Sequence, residues 1–207
     1  EQGFVEPREE EAFIKRAKFS CVYSSPYIHY DGDKHANHST WSGRHLIDEI
    51  IPMIHELEHE IQVHLVGELG KNAKKKLKTL NNVFLHGRVS FEENHKILKS
   101  CHLGLYPRTH DHLRSVQKIF EYLGAEIPIV TYKLIDTEFV RAKQIGISVK
   151  NLEEFVLAVY ELSQNTKLYE EIVARQKGIK SAYSWESLAA KMEDIYDTNG
   201  MISRKKN

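Results

Sequence analysis

The sequence predicts an α/β chain: a doubly wound parallel sheet with helices on both faces and extra helices at its carboxyl end. Three observations carry this expectation. Strand-like apolar runs alternate with amphipathic helical segments at the spacing of βαβ units. Residues 102–132, HLGLYPRTHDHLRSVQKIFEYLGAEIPIVTY, read as strand, loop, helix, turn and strand in succession, and two short strands joined through one helix can only be parallel neighbours. The loops 24–40 and 107–114 leave the predicted first and fourth strands and are the longest and most polar of the domain. In a doubly wound sheet those strands flank the point where the winding reverses, and ligands sit there.

Taken in order, residues 1–18 are acidic and then basic and read as a lead-in segment. A first strand is expected over 19–23, followed by the loop 24–40, which is too long to be idle. Over 41–58, Leu46, Ile47, Ile50, Ile51, Ile54 and Leu57 form the core face of a helix kinked by Pro52. A second strand over 61–66 closes at Gly67, a short basic helix covers 74–80, and a third strand spans 83–85. Ser90 and Glu93 make a capping box for the next helix. After the fourth strand, 103–106, a helix opens near Ser115 as its N-cap. Val116, Ile119, Phe120, Leu123 and Ala125 give it a largely helical spacing, and residues 124–128 end it before β character returns at Ile129 to Thr131. A last strand at 146–149 precedes helices over 152–162, 167–182 and 185–196. Residues 19–198 thus form one domain, and 199–207 a basic tail.

The chain has 207 residues and a formal net charge of zero, which argues against a nucleic-acid partner; the Lys-rich run 71–78 reads as one solvated helix face. With 41 % hydrophobic residues there is enough for a core, and no run approaches the roughly 18 apolar residues of a membrane span. Cys21 and Cys101 each lie beside a predicted strand without a CxxC pair, which points to buried free thiols in a reducing compartment.

The helix that follows the fourth strand offers free N–H groups and a positive dipole end to an anion. Lys118 and Glu121 share one of its faces: a cation for a phosphate and a carboxylate for ribose hydroxyls would suit a nucleotide, although spacing alone favours a solvated ion pair. His35 and His38 have helical metal spacing, but surface histidines account better for them and for His29 and His45. His110, Asp111 and His112 border the expected crevice and read as sugar or phosphate contacts or as a solvated loop. Of Tyr23, Tyr27, Tyr30 and Tyr106, at least half are expected to pack rather than line a base pocket.

The sequence resembles the carboxyl-terminal, donor-binding domain of GT-B glycosyltransferases of group 1, family 4. The resemblance runs from Phe19 to about Tyr196. It rests on VHLVGELG at 63–70, NNVFLHGRVSFEE at 81–93, the HLGLYP strand, KIFEYLGAEIPIVT at 118–131 and SWESLAAKMEDIY at 184–196. It implies a Rossmann-like domain that binds a nucleoside diphosphate sugar and hands a hexosyl group, with retained configuration and without a bound metal or other cofactor, to an acceptor held by a separate amino-terminal domain. Glu121 would bond the donor ribose, the backbone at Ser115, Val116 and Gln117 would meet the diphosphate, and Arg88 with Val89 would border the base. The full enzyme would be cytoplasmic, at the membrane face.

Two departures stand out. Leu113 occupies the position of the family motif's first glutamate, and the Arg and Lys that usually follow the first strand lack a match. Lys34, Arg44, Arg108, Arg114 or Lys118 could supply the clamp, Lys118 first among them. With half of the reaction geometry absent, this chain alone is expected to transfer little. The rival expectations are a noncatalytic interaction module of the same fold, for which Leu113 argues, and one half of a nucleotide-sugar epimerase. Trp185 resembles the family's carboxyl-terminal tryptophan and is expected to pack in the core.

Overall fold

A computed structural model describes residues 18–30, 39–111 and 116–198. They form a six-stranded sheet of order β3-β2-β1-β4-β5-β6, with β1 Ser20–Ile28, β2 Gln62–Leu69, β3 Val83–Gly87, β4 Leu103–Tyr106, β5 Ile129–Tyr132 and β6 Gly146–Val149. Every pairing is parallel. The winding reverses between β1 and β4, as expected of the doubly wound arrangement. The segments 1–17, 31–38, 112–115 and 199–207 lie outside the described residues, and with them the lead-in up to residue 17, the tail and the middle of the first long loop.

Helices cover both faces. Helix α1 (Ser39–His45) runs through a π segment (Leu46–Ile50) into α2 (Ile51–Leu57); α3 is Lys71–Leu77, α4 Phe91–Ser100, α5 Gln117–Ala125 and α6 Glu138–Lys143. The carboxyl-terminal helices are α7 (Leu152–Gln164), α8 (Thr166–Ile179) and, after a 3-10 turn at Lys180–Tyr183, α9 (Trp185–Thr198). Alternation along the strands sorts the core into two layers. Cys21, Tyr23 and Val130 face a cluster with Leu46, Ile50, Ile54 and Phe155, whereas Val22 and Ile129 face one with Leu98, Ile119, Tyr122 and Val140. Both cysteines are buried and free.

Several boundaries differ from the sequence expectation. A π segment directly precedes the turn that holds Pro52. The proline ring would clash with the carbonyl four residues earlier and its missing N–H breaks the ladder, and here the preceding turn widens to π geometry instead. Strand β1 does not stop at Tyr23: a register shift between Ser24 and Tyr27 lets Ser25 and Pro26 bulge before pairing resumes at Tyr27 and Ile28. Pro26 cannot donate to a ladder, so the irregularity falls there. Strand β2 likewise continues through Gly67, whose φ of +133° suits only glycine and whose missing Cβ would sit 1.7 Å from the Ser25 carbonyl oxygen. The short helix α6 was not anticipated. Helix α5 starts at Gln117 with Val116 at the N-cap position and no side-chain cap, Ser115 lying outside the described residues. The capping of α4 by Ser90, whose Oγ accepts from the Glu93 amide at 3.1 Å, is as expected.

Trp185 corrects the expectation most plainly: it is 85 % exposed. The apolar repeat that makes α9 a helix, Trp185, Leu188, Met192 and Ile195, meets no core in this domain, and all four stay exposed. Gln176 on α8 is the reverse case, a buried amide whose Nε2 donates to the carbonyls of Ile127 at 2.7 Å and Ile145 at 3.2 Å. It ties the carboxyl-terminal helices to the turns that enter β5 and β6.

The helix that matters for the site is held by Tyr122. A Cβ on Gly104 would lie 2.5 Å from the Tyr122 ring, so glycine in β4 is what lets this fully buried side chain settle on the sheet. Replacing Gly104 by Ala overpacks that contact and should destabilise the domain by about 1–3 kcal/mol, read as a lower urea midpoint at unchanged slope.

The edge of the sheet titrates. His64 stacks on Phe84 and lies against His86, Nδ1 to Nε2 at 2.9 Å; burial, then the neighbouring His86, lowers its pKa from 6.5 to about 4. Between those values the unfolded chain takes up a proton that the folded chain refuses. The contribution is therefore complete above about pH 6.5 and declines as the pH falls toward 4. The urea midpoint should fall from pH 7 to pH 5, and His64→Gln should flatten that dependence.

Candidate functional site

A cavity of about 500 Å³ opens where the sheet's winding reverses, within the range of small-molecule sites. Its floor is main chain and small side chains: Ser24, Ser25 and Pro26 from the β1 bulge, and Val66 and Gly67 from β2. Arg88, Val89, Ser90 and Phe91 border it from the β3–α4 connection. Tyr106 and Arg108 enter from the end of β4, and Gln117, Lys118 and Glu121 from α5.

This geometry follows from strand pairing. β1 and β4 are paired only at Cys21–Leu103 and Val22–Gly104 and part beyond that point. The Tyr122 hydroxyl sits in the opening, 3.1 Å from the Leu105 carbonyl oxygen and 3.4 Å from that of Val22. Lys118 lies one helical turn before Tyr122 and Glu121 immediately before it, so the contact that anchors α5 also presents these two side chains to the cavity.

The charges there are unevenly solvated. Lys118 is half-buried, and its pKa is lowered chiefly by burial and further by the Arg108 guanidinium, with Glu121 opposing. Its ammonium stands 5.8 Å from the centroid of the Tyr23 ring. Arg108 lies 5.5 Å from the Tyr106 centroid, and its Nη1 is 3.6 Å from Asp136 Oδ2. Two cations thus share one wall with one carboxylate, beside the amino end of a nine-residue helix. Such a wall attracts an anion carrying hydroxyl groups.

Of the residues nominated from sequence, Arg88, Val89, Arg108, Gln117, Lys118 and Glu121 line this one cavity. Val116, nominated for its backbone N–H, packs its side chain in the core at the N-cap position of α5. Arg44 lies elsewhere, its Nε donating to the Tyr30 carbonyl at 2.8 Å. Lys34, Leu113, Arg114 and Ser115 lie outside the described residues, as do His35, His38 and His112. Among the described residues no group of three His, Cys, Asp or Glu side chains could hold a metal ion. His45 Nε2 is 2.5 Å from the Tyr132 hydroxyl, and His29 lies against Tyr27. Tyr106 alone of the four nominated tyrosines lines the cavity; Tyr23 is in the core, and Tyr30 donates to Asp48 Oδ1 at 2.7 Å. His110 is exposed, and Asp111 accepts from the Asp136 amide.

Sequence reasoning missed Ser24, Asn94 and Asp136. Ser24 Oγ donates to Asn94 Oδ1 at 2.7 Å across the cavity floor, joining residues 70 positions apart. The only local signal was the Ser-Ser-Pro interruption at the end of an apolar run.

The sequence pattern of the family described as glycosyl transferases group 1 matches residues 37–165. Among solved structures the fold is similar to that of TarM, at 18 % identity and a TM-score of 0.65 over 87 % of this chain and 35 % of that one. It is also similar to WaaG, a glycosyltransferase involved in lipopolysaccharide biosynthesis, at 14 % identity and a TM-score of 0.63 over 92 % and 51 %. The third is HepE of Anabaena in complex with UDP, at 13 % identity and a TM-score of 0.66 over 96 % and 54 %. The chain therefore spans about a third to a half of the length of these proteins. No curated protein sequence matches it. No helix among the described residues is long and apolar enough to cross a membrane.

Because Lys118 is held charged in a half-buried place beside another cation, it weakens the fold it belongs to. Lys118→Met should raise stability by roughly 0.5–2 kcal/mol, seen as a higher urea midpoint; a lower midpoint would mean that Lys118 is a structural residue.

Proposed function

Since the chain belongs to the group 1 glycosyltransferases, we propose that the β1/β4 cavity is its donor site and binds a nucleoside diphosphate sugar. The observation that carries this reading is the convergence of Lys118, Arg108 and Glu121 on one cavity at the sheet's switch point. In this reading Glu121 accepts hydrogen bonds from the ribose hydroxyls. Lys118, Arg108 and the free N–H groups at the start of α5 meet the diphosphate. Arg88 and Val89 border the base, next to Phe91, an aromatic ring left 75 % exposed at the cavity's edge. A UDP complex of a protein with a similar fold supports a nucleotide ligand of this class.

The finer parts belong to the same proposal. A hexosyl group passes to an acceptor with retention and without a bound metal, and the acceptor is held by an amino-terminal domain in the same or another chain. The division into residues 1–18, 19–198 and 199–207 goes with it. Transfer needs both reactants held in one geometry and shielded from water. The domain by itself therefore binds nucleotide but turns over little, and the assembled enzyme works in the cytoplasm at the membrane face.

Titration calorimetry with UDP, GDP and ADP tests the site. At least one should bind, and Glu121→Ala should weaken that nucleotide by roughly 1–3 kcal/mol if the carboxylate bonds the ribose. Absence of binding by all three at millimolar concentration would overturn the donor-site reading in favour of an interaction module.

A further inference from the structure

Arg108 is held in a way that general charge balance does not require. Its Nη1 is out of solvent and without a hydrogen-bond partner. The acid nearest it, Asp136 Oδ2, stands at 3.6 Å: near enough for Coulomb attraction, too far for a hydrogen bond. The guanidinium also lies over the Tyr106 ring, so its plane is bounded by an aromatic face and a carboxylate. Asp136 sits in the turn between β5 and α6 with its side chain only 4 % exposed. Its backbone amide donates to Asp111 Oδ1 at 2.9 Å, which ties this turn to the loop that carries Arg108. A carboxylate is seldom buried at such depth without a task.

We propose that Asp136 is a positioning residue for the donor diphosphate and acts through Arg108: it holds one edge of the guanidinium, so that the rest of the fork keeps the orientation that phosphoryl oxygens need. This inference rests on the donor-site reading above. A guanidinium recognises phosphate through the direction of its N–H groups as well as its charge, so the orientation set by Asp136 matters for a diphosphate and little for the nucleoside part. The usual Arg and Lys after β1 lack a match in this sequence, and Arg108 with its own carboxylate supplies an oriented cation from the opposite side of the crevice.

The test is calorimetry on the 207-residue chain with UDP, GDP and ADP and the matching monophosphates. Asp136→Asn should weaken the bound diphosphate about 5- to 20-fold and the monophosphate less than about 2-fold, and Asp136→Glu should restore most of the loss. In an Arg108→Ala background Asp136→Asn should have no further effect, because its influence runs through that side chain. An unchanged or stronger diphosphate affinity in Asp136→Asn, or an equal loss in the Arg108→Ala background, overturns the proposal. Should Asp136→Asn not fold, Arg108→Lys decides: diphosphate affinity as weak as in Arg108→Ala supports an oriented fork, and affinity equal to wild type overturns it. Wild-type protein that binds none of the diphosphates removes the donor site itself, whereas wild-type binding with a silent Asp136→Asn removes only the positioning role.

Discussion

The placement of Tyr122 on Gly104 is the contact from which the site follows. Two parallel strands that separate at a switch point leave carbonyl groups without ladder partners, and such groups are costly when buried. The Tyr122 hydroxyl lies between those of Leu105 and Val22, satisfying the opening from within one side chain. The ring can reach that depth only because Gly104 has no side chain. One aromatic residue therefore fixes the rotation of α5 and its height above the sheet, and the side chains one residue and one turn earlier have no freedom to face elsewhere.

That arrangement places two cations close together. Lys118 and Arg108 disfavour one another across the cavity, and burial disfavours charge on Lys118 still more. Burying unpaired charge is among the costlier things a fold can do, and here Glu121 and Asp136 offset only part of it. An anion placed between the two cations would relieve the repulsion, and hydroxyl groups beside it would satisfy Glu121. The charge pattern of the cavity wall thus matches an anion that carries hydroxyl groups.

What was legible in the sequence was whatever depends on short-range pattern. The six strands and the helices of the first four connections follow from the alternation of apolar runs with amphipathic segments, and the placement of Lys118 and Glu121 on one face follows from helical spacing. The extension of β1 through Ser25 and Pro26 was not legible. Those residues read as a turn, and only the bare Cα of Gly67 on the neighbouring strand lets them continue the sheet. Asn94 and Asp136 enter the site region by tertiary contact, across 70 positions to Ser24 and 28 positions to Arg108, with no local signature. Helix α6 has a single buried residue, Val140, too little for a period to show. For Trp185 the pattern was right about the helix and uninformative about what its apolar face meets, because periodicity marks a face without naming its neighbour.

The balance of charge in the whole chain hides this local asymmetry. A formal net charge of zero describes the surface sum, yet the cavity collects cations from β4 and α5 and meets their partial counterweights from α5 and the β5–α6 turn. Each counterweight does something different. Glu121 shares the cavity wall with Lys118, while the Asp136 side chain is almost wholly covered and faces Arg108. A site built only from charge would need neither a buried aspartate nor a guanidinium laid over a tyrosine ring. Both are what recognition by direction as well as by sign requires, the property that on the proposed donor-site reading separates a diphosphate from an arbitrary anion.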